Sequence, residues 1–206
     1  MNDNEIIKSI VQGDRDSFRI LVERYQQMVF RTCMGFLHNK EDAEDLTQDV
    51  FIQAYQSLSR FKGESAFSTW LYRIAVNASL NKIRKSKLKL VFERFENLTG
   101  SDRTGSDTYP VIKNDEDPEK IIIRQEHSEW LGRALDSLPE NQKTAIVLSK
   151  YDDLSQKEIA EIMNTTEGAV EALLQRAKKN LREKLLFHKK LTKPSVGKIR
   201  ILFLTI

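Results

Sequence analysis

The apolar residues of this 206-residue chain recur with the period of an α-helix along nearly its whole length. Residues 18–37 and 41–58 show the pattern well, with apolar positions three or four residues apart. No stretch alternates with the two-residue period of a strand. The sequence therefore predicts an all-α protein, and its length is enough for one or two domains with a buried core.

The helical pattern stops over residues 97–118, which read NLTGSDRTGSDTYPVIKNDEDP. Gly, Ser, Asp and Pro are abundant there, as in extended or disordered connections. We therefore expect two small helical domains joined by a flexible linker. The predicted divisions are a first domain at 1–95, a linker at 96–118, a second domain at 119–187 and a tail of unknown role at 188–206.

Charge is segregated along the chain, although the net charge is only +3. Residues 73–94 carry seven Lys or Arg and one acid, and residues 175–200 carry ten Lys or Arg and one acid. Between them, residues 95–120 carry seven acids and three bases. This distribution predicts separate basic surfaces, one in each domain.

Several classes of protein are disfavoured. A single cysteine, Cys33, lies among apolar residues of a helix, which indicates a buried thiol and excludes a disulfide framework within the chain. The three histidines, His38, His127 and His188, are scattered, and no Gly-rich phosphate loop occurs. We expect no enzymatic activity, cofactor, metal or small-molecule substrate. Neither a signal peptide nor an 18-residue apolar stretch is present, so a cytoplasmic location is expected.

Residues 154–181, LSQKEIAEIMNTTEGAVEALLQRAKKNL, have the pattern of a helix-turn-helix. Ser155 and Glu158 form a capping-box pattern at the start, and Ala160 is small where two crossing helices must approach. The predicted small core holds Ile159, Val170 and either Leu173 or Leu174. An ordinary helical hairpin is the alternative, but the basic end of the second helix favours binding in the DNA major groove.

Residues 70–85 predict a helix with two apolar flanks and one narrow polar stripe. One flank holds Leu71, Ile74, Ala75 and Ala78, and the other holds Tyr72, Val76, Leu80 and Ile83. The stripe, about 80° wide, holds Trp70, Arg73, Asn77, Asn81 and Arg84. Asn can pair with base edges, Arg can bind phosphate or guanine, and aromatic rings can stack on bases. The stripe therefore favours contact with nucleic acid, although Trp70 alone could equally be a core residue.

The predicted helix 41–58 carries five acids, Glu41, Asp42, Glu44, Asp45 and Asp49. A metal site is disfavoured there, because no His joins the cluster and adjacent carboxylates point in different directions. Composition alone leaves open a solvated face and a surface for a basic partner.

The segment SAFSTWLYRIAVN is preceded by AEDLTQDVFIQAY and followed, after the linker, by LPENQKTAIVL and the helix-turn-helix. In this order the motifs resemble bacterial sigma factors of the extracytoplasmic-function group, over about residues 5–186. The resemblance implies that the first domain, sigma region 2, binds the clamp of core RNA polymerase and opens the promoter −10 element. The second domain, sigma region 4, would dock on the polymerase flap and read the −35 element, with the linker threading through the polymerase.

The resemblance also implies roles for individual residues. The loop 61–67 would capture a flipped base, and Asn77 and Asn81 would read the upstream part of the −10 element. The whole predicted −10 set is Phe61, Lys62, Gly63, Ser65, Phe67, Trp70, Arg73, Asn77, Asn81, Arg84 and Lys85. The clamp contact would be made by Asp45, Gln48, Asp49 and Gln53.

The predicted −35 contacts follow the helix-turn-helix and comprise Thr166, Glu167, Glu171, Ala172, Gln175, Arg176 and Lys179. Glu171 and Ala172 replace the Arg and Ser of some family members, so the resemblance implies the −35 role but not which −35 sequence is read. Lys178 and Arg182, with Arg176 and Lys179, are assigned to phosphates. The resemblance further implies an anti-sigma factor. The competing hypothesis is a free-standing helix-turn-helix regulator that binds duplex DNA without polymerase, which would leave the polar stripe and the acidic helix unexplained.

Overall fold

The computed structural model describes residues 1–98 and 130–191, with side chains described for 1–93 and 130–184. We call 1–98 the first unit and 130–191 the second unit. Within these ranges all regular secondary structure is helical, which confirms the predicted fold class. No helix in the described part of the chain is long and apolar enough to cross a membrane.

The first unit contains four α-helices. They are α1 (Asp3–Val11), α2 (Phe18–Leu37), α3 (Lys40–Ser57) and α4 (Phe67–Leu98), with 3₁₀ turns at Arg15–Ser17 and Leu58–Arg60. The chain breaks between α2 and α3 at His38-Asn39: His38 is left-handed (φ 57°), and the Asn39 side chain accepts a hydrogen bond from Asp42 N. Asp14 caps the first of these 3₁₀ turns by accepting a hydrogen bond from Ser17 N.

The second unit also contains four helical segments. We label them α5 (130–136), α6 (Glu140–Lys150), α7 (Gln156–Met163) and α8 (Glu167–Leu191). Pro139 stands at the N-cap of α6, one residue before the helix. The predicted start of this unit near residue 119 lies outside the described residues.

Two helices are longer than the sequence pattern predicts. α4 continues to Leu98, beyond the predicted helical stretch 70–85, and α8 continues to Leu191, beyond the predicted end of the second domain at 187. Residues 86–98 hold no Gly or Pro to stop the helix, so a good helix-forming run extends it into solvent. The predicted linker thus begins inside α4, and 99–118 lie outside the described residues, as do 192–206 of the tail.

Two hydrophobic clusters hold the molecule together. The first lies among α1 to α4 and includes Cys33, whose predicted burial is confirmed. The second lies among α5 to α8, but it also contains Phe36 from α2 and Tyr72 and Val76 from α4. The second cluster therefore spans both units, and α4 uses both of its predicted apolar flanks.

The capping box of α7 gives a first testable prediction. Ser155 Oγ accepts from Glu158 N at 3.3 Å, and the Glu158 carboxylate accepts from Ser155 N at 2.9 Å. These bonds also lower the pKa of Glu158. We expect Ser155→Ala to lower the free energy of unfolding by about 1 kcal/mol, because the Glu158 amide loses its acceptor at the start of a short helix and the Glu158 carboxylate loses the bond donated by Ser155 Oγ. Urea denaturation checks this, with Ser59→Ala, an exposed serine that caps no helix, as a control that should match wild type.

Candidate nucleic-acid interface

Three aromatic rings lie beneath the loop that joins α3 to α4. The ring centroids of Phe61, Phe67 and Trp70 are 5.4 to 5.7 Å apart, and Tyr25 of α2 lies 5.5 Å from Phe67. Such tilted and edge-on contacts are favourable for aromatic pairs. Phe67 is only 2% exposed, so it supports the loop from inside and, contrary to the DNA contact predicted for it, is not placed at the surface.

The loop above these rings is open to solvent. Gly63 is left-handed (φ 74°), and a Cβ atom built there would have no neighbour within 4 Å. Its neighbours Lys62, Glu64 and Ala66 are exposed, while Phe61 and Ser65 are half-buried. The backbone around Gly63 is therefore accessible, as close approach of a base would require.

The polar stripe predicted on α4 lies on one side of the helix, next to this loop. Asn77, Asn81, Arg84 and Lys85 are exposed, and Trp70 and Arg73 are half-buried. The stripe is bordered by the two flanks that enter the two hydrophobic clusters. The exposed amides and the aromatic-supported loop thus form one continuous edge of the first unit.

Both arginines of the stripe are engaged by the second unit. Arg73 donates from Nη2 to Glu161 O at 2.7 Å and from Nε to Ile162 O at 3.3 Å, at the C-terminal end of α7. Arg84 binds both carboxylate oxygens of Glu140 at the start of α6, with its Nε 2.8 Å from Oε1. This pair lowers the pKa of Glu140.

The helix-turn-helix of the second unit has the predicted local structure. The capping box opens α7, and Asn164 is left-handed (φ 51°) where the chain turns. Thr165 N donates to Ala160 O at 2.9 Å, and Ala169 N donates to Thr166 Oγ1 at 3.2 Å, so the end of α7 and the start of α8 each have a capping hydrogen bond. Of the two predicted core leucines, Leu174 is buried and Leu173 is half-buried.

The predicted −35 residues line the outer face of α8 and its start. Thr166, Glu167, Glu171, Gln175, Arg176 and Lys179 are exposed, and Ala172 is half-buried. Gln175 Nε2 donates to Glu171 Oε1 at 3.2 Å, which joins two of these side chains. A helix with this exposed polar and basic face can be accommodated by the major groove.

Comparison with known proteins gives two family matches in chain order. The model described as Sigma-70 region 2 matches residues 21–88, and the model described as Sigma-70, region 4 matches residues 128–181. The ECF RNA polymerase sigma factor SigW of Bacillus subtilis (strain 168) is 35% identical over 180 residues, covering 87% of this chain and 94% of that protein. The chain is an extracytoplasmic-function sigma factor. As such, it directs promoter-specific initiation of transcription with RNA polymerase.

Other relatives and solved structures agree with this membership. The ECF RNA polymerase sigma-E factor of Escherichia coli (strain K12) is 32% identical to this sigma factor over 185 residues, covering 90% of the chain and 95% of the relative. CnrH, solved in complex with the cytosolic domain of CnrY, superposes with a TM-score of 0.60 at 22% identity, covering 90% of this chain and 97% of that one. RpoE from Bartonella quintana, solved with the anti-sigma factor NepR, gives 0.54 at 21% identity over 82% and 96% of the two chains. At these identities the two structures establish a shared fold.

The four residues predicted to contact the clamp lie on α3 of the sigma factor. Asp45, Gln48, Asp49 and Gln53 are all exposed. Ile52, which is 55% exposed, lies among them on the same face, and Tyr55 is exposed beside it. Sequence reasoning missed these two apolar residues. Their position off the buried stripe of Leu46, Val50 and Ala54 was the signal that could have revealed them.

Proposed function

We propose that this sigma factor opens the −10 element with the edge formed by loop 61–67 and the polar stripe of α4. The observation that carries the proposal is the continuity of that edge: an accessible Gly63 loop above packed aromatic rings leads directly to the exposed Asn77 and Asn81. An accessible backbone can receive an unstacked base, and the amides can pair with base edges. The protein has no reaction of its own in this proposal; it acts by binding, and in the cytoplasm.

The remaining contacts extend this proposal to the −35 element and the polymerase. The exposed face of α8, from Thr166 to Lys179, reads the −35 element, while its basic side chains bind phosphates. The acidic face of α3 binds the polymerase clamp, with Ile52 supplying an apolar contact among Asp45 and Asp49. The domains act as proposed from the sequence: 1–95 as region 2, 96–118 as linker and 119–187 as region 4.

We further propose that an anti-sigma factor is a partner of this protein. The support is the solved relative RpoE, which was captured with the anti-sigma factor NepR. Core polymerase, promoter DNA and this inhibitor are then its three partners.

Permanganate reactivity of promoter thymines tests the proposal. The template is the region upstream of the protein's own gene, with the sigma factor added alone and with its cognate core polymerase. We expect reactive thymines near −10 only when both proteins are present. Asn77→Ala should reduce opening about 5- to 150-fold through lost base contacts worth about 1–3 kcal/mol. Trp70→Ala should reduce it further, because the loop loses its aromatic support.

Gln27→Ala, an exposed change on α2 away from the proposed edge, is the matched control and should open DNA as wild type does. Protection of duplex DNA by the sigma factor alone, without reactive thymines, would contradict the proposal and favour the free-standing regulator.

A further inference from the structure

We propose that the end of α4 is a membrane-binding surface, with which this sigma factor lies on an anionic lipid bilayer. The surface is an apolar ridge formed by Leu88, Val91 and Phe92, with lysines on both of its sides. This interaction goes beyond the proposed function, and its test involves neither promoter DNA nor polymerase.

The apolar ridge is open to solvent along its whole length. Leu88 and Phe92 are each 69% exposed and Val91 is 65% exposed. Leu88 follows Arg84 by one helical turn, so the ridge continues the side of α4 that carries the polar stripe. That side lies between the two flanks that enter the hydrophobic clusters. Neither cluster of the described residues therefore covers the ridge, and such a continuous exposed apolar surface indicates a binding site.

Lysines border the ridge on both sides. Around the helix axis, Lys87 lies about 100° from Leu88 in one direction, and Lys85 and Lys89 lie about 60° and 100° away in the other. All three lysines are exposed, and Lys89 Nζ lies 3.8 Å from Glu93 Oε1. Lysine stems can lie along an apolar surface while their ammonium groups stay in water or at lipid phosphates. This arrangement is typical of a helix that lies in the interface of a bilayer.

A second basic and apolar segment begins beside the end of α4. Arg84 of α4 binds Glu140 at the start of α6, and Asn180 Nδ2 of α8 donates to Gln142 Oε1 of α6 at 2.8 Å. The final parts of α4 and of α8 therefore start from the same end of α6. The sequence 185–206 carries five Lys or Arg and no acid, and it finishes with ILFLTI.

Charge and apolarity together select the partner. The two segments carry charge of the same sign, so they repel each other and neither is the natural cover of the other. Nucleic acid would attract the lysines, but contacts to phosphates need no exposed leucine, valine and phenylalanine. An anionic bilayer meets both requirements, because its headgroups attract the lysines and its interface accepts the apolar ridge.

Sedimentation of the full-length protein with lipid vesicles tests the proposal. One set of vesicles is phosphatidylcholine alone, and the other is an equal mixture of phosphatidylcholine and phosphatidylglycerol. We expect binding to the mixture and little binding to phosphatidylcholine alone. Phe92→Ala should weaken binding to the mixture about tenfold, because less apolar area enters the interface. Val11→Ala, at an exposed apolar residue of α1, is the matched control and should bind as wild type does.

Two further measurements separate insertion from simple attraction of charges. Lys87→Gln combined with Lys89→Gln should weaken binding about tenfold, and added NaCl should weaken the wild type. An environment-sensitive dye at Val91→Cys should shift its emission to shorter wavelength on the mixed vesicles, whereas the same dye at Ser59→Cys, an exposed site on the 3₁₀ turn after α3, should not. The native Cys33 is buried and stays unlabelled.

Three results would overturn the proposal. The first is equal binding to both kinds of vesicle, and the second is a folded Phe92→Ala protein that binds the mixture as tightly as wild type, which would leave attraction of charges alone. The third is no binding to either vesicle, together with a loss of affinity of the two-lysine variant for a duplex of unrelated sequence. That third result would make the end of α4 a nucleic-acid surface. Promoter opening with polymerase is measured separately, so failure of either proposal leaves the other standing.

Discussion

Replacing Phe36 with alanine should lower the free energy of unfolding by about 3–5 kcal/mol. The Phe36 ring is fully buried in the second hydrophobic cluster, although its helix α2 belongs to the first unit. Its removal leaves a cavity between α2 and α6 and also removes the ring over which Lys143 Nζ lies at 5.5 Å. The loss therefore combines the transfer of an aromatic side chain with the cavity it leaves.

Urea denaturation followed by circular dichroism measures this effect. Phe92→Ala is the matched control: Phe92 lies on α4, is 69% exposed, and its loss should change the free energy of unfolding by less than about 0.5 kcal/mol. Because Phe36 joins the two units, we also expect its loss to separate one unfolding transition into two. A Phe36→Ala protein that unfolds in one transition at the wild-type urea concentration would show that the shared cluster contributes little to stability.

Much of the fold follows from local features of the sequence. The capping box at Ser155 and the helix-turn-helix that it opens depend on residues close together in the sequence, and both were predicted correctly. The end of α4 was not predicted correctly. Where no Gly or Pro interrupts a helix, its last residue depends on packing and solvent exposure, which the sequence pattern does not show. Sequence reasoning therefore found where helices begin more reliably than where they end.

The interface between the units was not predictable from the sequence. The two apolar flanks of α4 were evident, but the pattern could not say that one flank packs within its own unit and the other against the second unit. Thr32 and Asp152 are 120 positions apart, and neither belongs to a motif. Nothing in the sequence distinguishes Lys143 from a surface lysine of an amphipathic helix. Its hydrogen bond to the carbonyl oxygen of Phe36 is visible only in the structure. Long-range contacts of this kind depend on the packing of whole helices.

Asp152→Asn should raise the free energy of unfolding at pH 7 by about 1–3 kcal/mol, the opposite direction from most core substitutions. The carboxylate of Asp152 is fully buried, and burial raises its pKa from 3.8 to about 6, against the opposing effects of Thr32 and Arg31. Arg31 Nε lies 3.7 Å from Oδ1 and is partly exposed, while Asp153 adds a like charge. At neutral pH Asp152 is therefore ionised in the folded protein, although its ionisation is more favourable in the unfolded chain. This difference lowers the free energy of unfolding. Asparagine keeps an acceptor for Thr32 and removes that charge.

The pH dependence of stability separates this effect from a change in packing. An acid whose pKa is raised on folding binds its proton more tightly in the folded state, so its contribution is complete below pH 3.8 and is lost as the pH rises to about 6. The wild-type free energy of unfolding should thus fall, relative to Asp152→Asn, between pH 4 and about 6 and then stay constant. Asp153→Asn, at the exposed neighbour, is the control and should leave most of that difference in place. An Asp152→Asn protein that is less stable than wild type at pH 7 would mean that the ion pair with Arg31 outweighs the burial of the charge.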